Sequence, residues 1–327
     1  MTSLTWLQVY AAARSVRVHN KNVRLLMACL LAMLALDVAP PQDQSVRDTR
    51  PFRSGIEITS INATVIDAQG HLVKGLSRDV FDVFEDGERQ EVTQFTNERV
   101  PIGLGVLIDI SDSMFGQRIQ DARAAVDRFL FELLDASDEF FIAAFNHRPH
   151  MLTQWTNAPD VVRRALDALK PSGGTAVYDA VLAGLPVLDQ RSRQRGALVI
   201  ISDGADTASS ASLRDVRSAL LRSDGFVYAI AIDSPEHVAI NTRVNPTALR
   251  EITDESGGST EVVKTSSDLV AATSRIAEEL NSQYLLGYSS THGPDGQFHS
   301  IRVKIREAGY RVRSRRGYVA GTARKTR

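Results

Sequence analysis

The sequence predicts an α/β fold: a doubly wound, mostly parallel sheet with helices on both faces, inserted in or flanked by a small β-sandwich. Three observations carry that expectation. From about residue 102, continuous apolar runs alternate with segments of helical periodicity. On either side, short strands with alternating polar and apolar residues replace them. Two of the apolar runs, "VLIDISDS" and "ALVIISDG", end on a carboxylate and hydroxyls, where such sheets place ligands.

The elements follow in order. Residues 1–36 hold no acid, and Arg14, Arg17, Lys21 and Arg24 precede the apolar run "LLMACLLAMLAL". A basic region before about a dozen apolar residues reads as an export signal over residues 1–39, or as an uncleaved N-terminal anchor. Asp37 falls at −3 of a cut after Ala39, a poor cleavage context. Cys29, the single cysteine, sits in this run, so a mature chain has no disulfide, thiol nucleophile or cysteine-based zinc site. "LMAC" loosely resembles a lipidation motif, but more apolar residues follow it. Pro40 and Pro41 open a polar linker, residues 40–54.

Residues 55–98 form an Ig-like β segment in which Ile56, Ile58, Ala63 and Val65, then Val80 to Phe84, then Val92 to Phe95, alternate around the turn signals "DAQG" and "EDGE". Residues 101–281 form the α/β domain. Its strands are expected at 102–110, 139–145, 197–203 and 225–233. Its helices are expected after residue 117 and at 159–169, 176–188, 212–221, 246–255 and 267–280. Residues 282–320 return to alternation and are expected to pair with 55–98, because neither flank has enough strands alone. Residues 321–327 are a basic tail.

The formal net charge of −1 gives no global reason to bind nucleic acid or membrane. Membrane contact is expected only through the N-terminal segment. Residues 297–327 carry ten Lys or Arg against Glu307 alone, which reads as a solvated strand face that blunts edge pairing or as a surface for an anionic partner. Few aromatics are interleaved, which argues against nucleic acid.

The candidate site gathers Asp109, Ser111 and Ser113 at one strand end, Asp203 at another, and Thr175 in the glycine-bearing loop "PSGGTAVYD". All donors are oxygen and two are carboxylates. Such a set suits a hard divalent cation, Mg²⁺ or Mn²⁺ more than Zn²⁺. The simpler reading makes Asp109 and Ser113 caps of the helix near residue 117. Asp112 is read as solvated, Asp179 as a helix-start group and Asp206 as a loop stabiliser.

These three motifs, in this order, resemble the von Willebrand factor A-type (VWA) domain with an intact metal-ion-dependent adhesion site. The flanks "TVIDAQGHLVKGLSRDVFDVFEDGERQEVTQF" and "QYLLGYSS", "IRVKIREAGYRVRSRRGYVA" are similar to a bacterial, acidobacterial-type VWFA-related family. The resemblance implies that Ser111, Ser113 and Thr175 ligate the ion directly, with Asp109 and Asp203 acting largely through water. It implies Mg²⁺, with Mn²⁺ or Ca²⁺ as substitutes, and an ion that accepts a carboxylate from a partner protein.

The expected function is therefore an exported, metal-dependent protein-binding or adhesion module of the periplasm, cell envelope or extracellular space. The alternative is a structural component of an envelope assembly, with the ion only stabilising the fold. A hydrolase is not expected. No Gly-x-Ser-x-Gly elbow exists, and His147 and His150 lie in a strand-to-strand turn.

Overall fold

The computed structural model describes residues 58–204, 206–233 and 246–321. The signal or anchor, the linker and nearly all of the basic tail lie outside the described residues. Among the described residues no helix is long and apolar enough to cross a membrane.

The described residues begin with β1 (Ile58–Ile66), β2 (Phe81–Glu85), β3 (Glu88–Gln90) and β4 (Val92–Thr96). The α/β region then runs β5 (Ile102–Asp109), α1 (Gln117–Arg128), β6 (Glu139–Phe145), β7 (Pro149–Met151), α2 (Pro159–Asp167), α3 (Val177–Leu188) and β8 (Arg195–Ser202). It continues through α4 (Leu213–Leu220), β9 (Phe226–Ile232), α5 (Pro246–Ser256), β10 (Thr260–Val263) and α6 (Ser266–Ser282). Four strands close the described residues: β11 (Tyr284–Ser289), β12 (Phe298–Ile305), β13 (Arg311–Ser314) and β14 (Gly317–Val319).

The central sheet has the order β10-β9-β8-β5-β6-β7, parallel except for β7. β5, β8 and β9 are buried along their whole length. That is why they read as continuous apolar runs: helices cover both faces. Leu104, Val106 and Ile108 face α1, α2 and α6, whereas Leu107 faces α3, α4 and α5. Each face has its own apolar core, and the strand period of two divides the residues between them.

Two antiparallel sheets flank this unit, with the orders β13-β1-β11-β4 and β14-β12-β2-β3. Each mixes strands from before and after the α/β region. β1 pairs with β11 (Ile61 opposite Leu286) and with β13 (Val65 opposite Val312). β2 pairs with β12, Val83 opposite Val303. Ile61, Ala63, Val65, Phe81, Val83, Tyr284, Leu286 and Ile301 from both sheets share one apolar core. The stretch "YRVRSRRGYV" forms two strands, β13 and β14, each in a different sheet.

The two sheets meet the α/β unit where its parallel strands begin. Arg99 donates to Asn281 Oδ1 (3.0 Å), Val319 N to the Leu221 carbonyl (2.8 Å) and Arg313 to the Gly258 carbonyl (3.0 Å). A buried polar network lies in the same place. Glu279 of α6 accepts from Thr64 Oγ1 (3.1 Å) and Tyr228 OH (2.9 Å) and pairs with Arg313. Gln283 Nε2 donates to Tyr228 OH (3.0 Å), and Arg195 donates to the Leu280 carbonyl (2.8 Å) and to Gln283. Burial, with Glu279 beside it, pushes the Tyr228 hydroxyl well up, so it stays protonated and donates.

The basic C-terminal strands are less solvated than their composition suggests. Arg302, Lys304 and Arg306 are exposed, Arg306 pairing with Asp82 at 2.9 Å, whereas Arg315 is half-buried and donates to the Ser60 carbonyl at 2.8 Å.

Candidate metal centre

Asp109 is the last residue of β5, and its neighbours in the sheet are β6 and β8. Beyond it the chain leaves the sheet through a short 3₁₀ turn, Asp112–Met114. Gly116 then takes φ 73°, ψ −130° before α1 begins. That conformation is open to glycine and strained for other residues.

Backbone hydrogen bonds bind the three motif loops to one another. Ile110 N donates to the Phe145 carbonyl (2.8 Å), Asp112 N to Gly173 (2.9 Å) and Ser172 N to Ile110 (2.8 Å). Ala176 N donates to Asn146 (2.7 Å) and Thr207 N to Thr175 (2.8 Å), while Thr175 N donates to Thr207 Oγ1 (3.0 Å). Asp206 and Asp179 extend the lacing. Asp206 accepts from Tyr178 N (3.1 Å) and Ser209 Oγ (2.6 Å), and Asp179 accepts from Ser210 N and Ala211 N (both 2.9 Å).

Two donors hold Asp109. Ser111 N donates to its Oδ1 (2.8 Å), and Ser202 Oγ donates to its Oδ2 (2.6 Å). Ser111 Oγ and Ser113 Oγ are 3.0 Å apart. Arg118, in the first turn of α1, donates to the Ser113 carbonyl (3.0 Å) and to Asp203 Oδ2 (3.2 Å). It therefore spans the first and third loops. Asp109, Ser111, Thr175 and Asp203 are all buried, Ser113 is half-buried and Asp112 is exposed.

The helix-cap reading does not describe this arrangement. The N-cap of α1 is Gly116, and no side chain caps it. Ser111 precedes the 3₁₀ turn but makes no side-chain cap bond there. Asp109 instead stays inside the sheet edge with two donors on its carboxylate.

Electrostatics explain what such a cluster asks for. Burial pushes the Asp109 carboxyl up to about 7, the Ser202 and Ser111 donors draw it down, and the nearby Asp203 charge adds to the rise. Arg118 already pairs with Asp203, whereas Asp109 accepts from an amide and a hydroxyl, so a further cation would be stabilised beside Asp109. The donor set of carboxylate and hydroxyl oxygens suits a hard divalent one such as Mg²⁺. The residues present thus fit a metal ion in charge and in ligand chemistry.

Three partners escaped the sequence reading. Ser202 and Thr207 carry no motif signal, because single hydroxyls near strand ends are common. Arg118 had a weak one: a cation in the first turn opposes the helix dipole, so its place there asks for a carboxylate nearby. Among the described residues, neither Ser111 nor Ser113 is hydrogen-bonded to a histidine; His150 Nε2 lies 3.2 Å from Asn146 Oδ1. Phe115, between the motif and α1, is 77% exposed, the most exposed of the large apolar side chains among the described residues.

Residues 104–205 match the family model for the von Willebrand factor type A domain. All five candidate residues lie inside that span, and the α/β unit has the VWA-like fold. Among curated proteins, the chain is 25% identical over 141 residues to mouse (Mus musculus) inter-alpha-trypsin inhibitor heavy chain H2, covering 38% of this chain and 14% of that one. It is 26% identical over 111 residues to an uncharacterized protein of Synechocystis sp., covering 33% of this chain and 26% of the other. The chain thus spans only a small part of the curated relatives it matches. Among solved structures, a von Willebrand factor type A protein from Catenulispora acidiphila superposes with a TM-score of 0.49 at 13% identity, covering 84% of this chain and 76% of that one.

Proposed function

We propose that this protein is an exported protein-binding module whose strand-end site holds Mg²⁺ and takes up a carboxylate from a partner protein. The observation that carries the reading is the buried pair Asp109 and Asp203, set among Ser111, Ser113 and Thr175 at the carboxyl ends of the central strands. In this reading Ser111, Ser113 and Thr175 would hold the ion directly, and Asp109 and Asp203 would act on it largely through water. When bound, the ion supplies an electrophilic position that a carboxylate can occupy. The chain's own residues do the rest. Ser202 and Ser111 orient the Asp109 carboxylate. Arg118 fixes the Ser113 backbone against Asp203. Phe115 offers an exposed aromatic anchor beside the site, the residue type on which binding energy concentrates.

The match to the VWA domain supports an interaction role, and VWA domains often bind a divalent metal. Export rests on the basic and apolar pattern of residues 1–39. The domain plan proposed with it places 101–281 as an insert between β segments 55–98 and 282–320, supported by the pairing of β1 with β11 and β13.

The test is calorimetric titration of the full chain with Mg²⁺, beside Asp109→Ala and Thr175→Ala. One binding event in the wild type, absent from both variants, supports the site. A second titration with a glutamate-rich peptide, in Mg²⁺ and in chelator, tests carboxylate capture. Binding of Mg²⁺ with no metal-dependent peptide binding favours the structural alternative. No Mg²⁺ binding at millimolar concentration removes the main support for both.

A further inference from the structure

A second group of metal-ligand residues lies in the flanking sheets, with 205 residues between its first and second members. Asp86, His292 and His299 each present one ligand atom, and the three atoms lie within 4.8 Å of one another. Asp86 occupies the two-residue Asp-Gly turn between β2 and β3, with φ 49° at Asp86 and 91° at Gly87. His299 is the second residue of β12, and His292 lies in the segment joining β11 to β12. The turn is docked on β12, because Asp86 N donates to the Ser300 carbonyl (3.0 Å) and Ser300 N donates to Asp86 Oδ1 (2.7 Å).

The other carboxylate oxygen, Asp86 Oδ2, points at both rings. It is 2.8 Å from His299 Nδ1 and 3.5 Å from His292 Nε2. The imidazoles stack with centroids 4.0 Å apart and planes 21° apart. His299 is buried, yet carboxylates face both its nitrogens: Asp86 at Nδ1 and Asp295 Oδ1 at Nε2, 3.3 Å away. A neutral imidazole has one N–H and one lone pair. One carboxylate would therefore meet a lone pair unless that nitrogen carries a proton or a metal ion.

The charges nearest the rings are carboxylates, with the Arg315 guanidinium beyond them over the Tyr318 ring at 5.3 Å. Glu85 Oε2 is 4.0 Å from His292 Nε2, and its carboxylate accepts from Tyr288, Ser290 and Tyr318. Among the described residues, neither Glu85, Asp86 nor Asp295 is ion-paired with a lysine or arginine. Protonating both rings would place two like charges in a stack, whereas one divalent ion would serve both. At Zn–N and Zn–O bonds of about 2.0 Å, tetrahedral ligand atoms lie about 3.3 Å apart. The Asp86–His292 spacing of 3.5 Å is close to that value, the Asp86–His299 spacing must open by about half an ångström, and the partly exposed His292 ring must turn out of its stack on His299 so that both imidazoles aim an in-plane lone pair at one ion. Asp295 behind His299 is the carboxylate that orients a ligating imidazole in zinc sites. Asp86 and His292 are both partly exposed, so an ion can reach the group and keep a water.

We propose that Asp86, His292 and His299 bind Zn²⁺, with Asp295 orienting His299, as a site separate from the strand-end centre. The donor set of two imidazoles and one carboxylate selects a borderline first-row ion over Mg²⁺. The ion pins the β2–β3 turn to the segment that carries the chain from β11 in one sheet to β12 in the other.

The test is calorimetric titration of the full chain with Zn²⁺, with saturating Mg²⁺ present to occupy the strand-end site. His292→Ala alters a partly exposed ring, and Asp86→Asn keeps a residue type that accepts positive φ, so both variants should fold. Zinc bound elsewhere in the chain is common to the wild type and all variants and cancels. One Zn²⁺ equivalent is expected in the wild type, weakened at least tenfold in each variant, with Asp295→Asn weakened by about 10- to 100-fold. Zn²⁺ should raise the melting temperature of the wild type and leave that of His292→Ala unchanged. Equal zinc binding in wild type and variants, or none in the wild type, overturns the proposal and leaves an imidazolium–carboxylate cluster.

Discussion

Replacing Glu279 with alanine is expected to loosen the join between the α/β unit and the flanking sheets. Glu279 is buried and holds three donors from three elements: Thr64 on β1, Tyr228 on β9 and Arg313 on β13. Alanine leaves the Tyr228 hydroxyl buried without that acceptor and Arg313 without its ion pair. Breaking a buried pair costs about 3–5 kcal/mol. Arg313 is 28% exposed in its side chain and keeps its bond to Gly258, which places the expected loss near the lower end, about 3 kcal/mol. At roughly 2–4 °C per kcal/mol for a unit of this size, the melting temperature should fall by about 6–12 °C. Glu279→Gln keeps one acceptor and should lose about half as much. Thermal melts of the full chain, followed by circular dichroism, read this directly. A double-mutant cycle with Arg313→Ala should show coupling of at least about 1 kcal/mol. A loss below about 1 kcal/mol for Glu279→Ala, with no coupling to Arg313, would refute the reasoning and make the network incidental.

Other expectations concern the strand-end site. With a chelator present, Asp109→Asn should melt higher than the wild type at pH 8. The Asp109 carboxyl rises from 3.8 to about 7 on folding, so between those values the folded chain holds a proton that the unfolded chain has lost. Stability therefore falls as pH rises through that window, by up to about 4 kcal/mol, less about 1 kcal/mol for the hydrogen bond that asparagine makes less well. At pH 4 the two proteins should melt alike, and melts at the two pH values check the sign. Ser202→Ala removes the hydroxyl that joins Asp109 Oδ2 to Gly204 N and should cost about 1–3 kcal/mol in urea unfolding. Gly116→Ala has room for its methyl group but forces φ 73°, ψ −130° on a residue with a Cβ; about 1–3 kcal/mol of strain should appear in the same assay.

What the sequence displayed, and what it hid, follows from how local each signal is. β5, β8 and β9 were plain because a strand covered on both faces must be apolar throughout. The end of such a strand is equally plain, since Asp109 interrupts an unbroken apolar run. β7 and β10 were missed, because three or four residues leave little room for a pattern and β10 is largely half-buried. The break between β13 and β14 is hidden because "RSRR" holds no glycine or proline to mark it while the chain moves from one sheet to the other. Arg118, Ser202 and Thr207 act through tertiary contacts that no spacing encodes. His292 and His299 were overlooked for the same reason, since their carboxylate lies more than two hundred residues earlier. His147 and His150 attracted notice only because they are close in sequence.

The position of the flanking sheets gives the described residues two poles. Arg99, Arg313 and Val319 all make their cross-contacts near the beginnings of the parallel strands, whereas Asp109 is the last residue of β5. Seven residue steps at about 3.3 Å separate Ile102 from Asp109, so roughly 23 Å of sheet stands between them. Among the described residues the β-rich part acts as a pedestal, making these cross-contacts at the end of the sheet opposite Asp109. A bulky group attached at the pedestal should leave the far end open to a large, flat or crowded surface, which a site recessed between two domains could not approach.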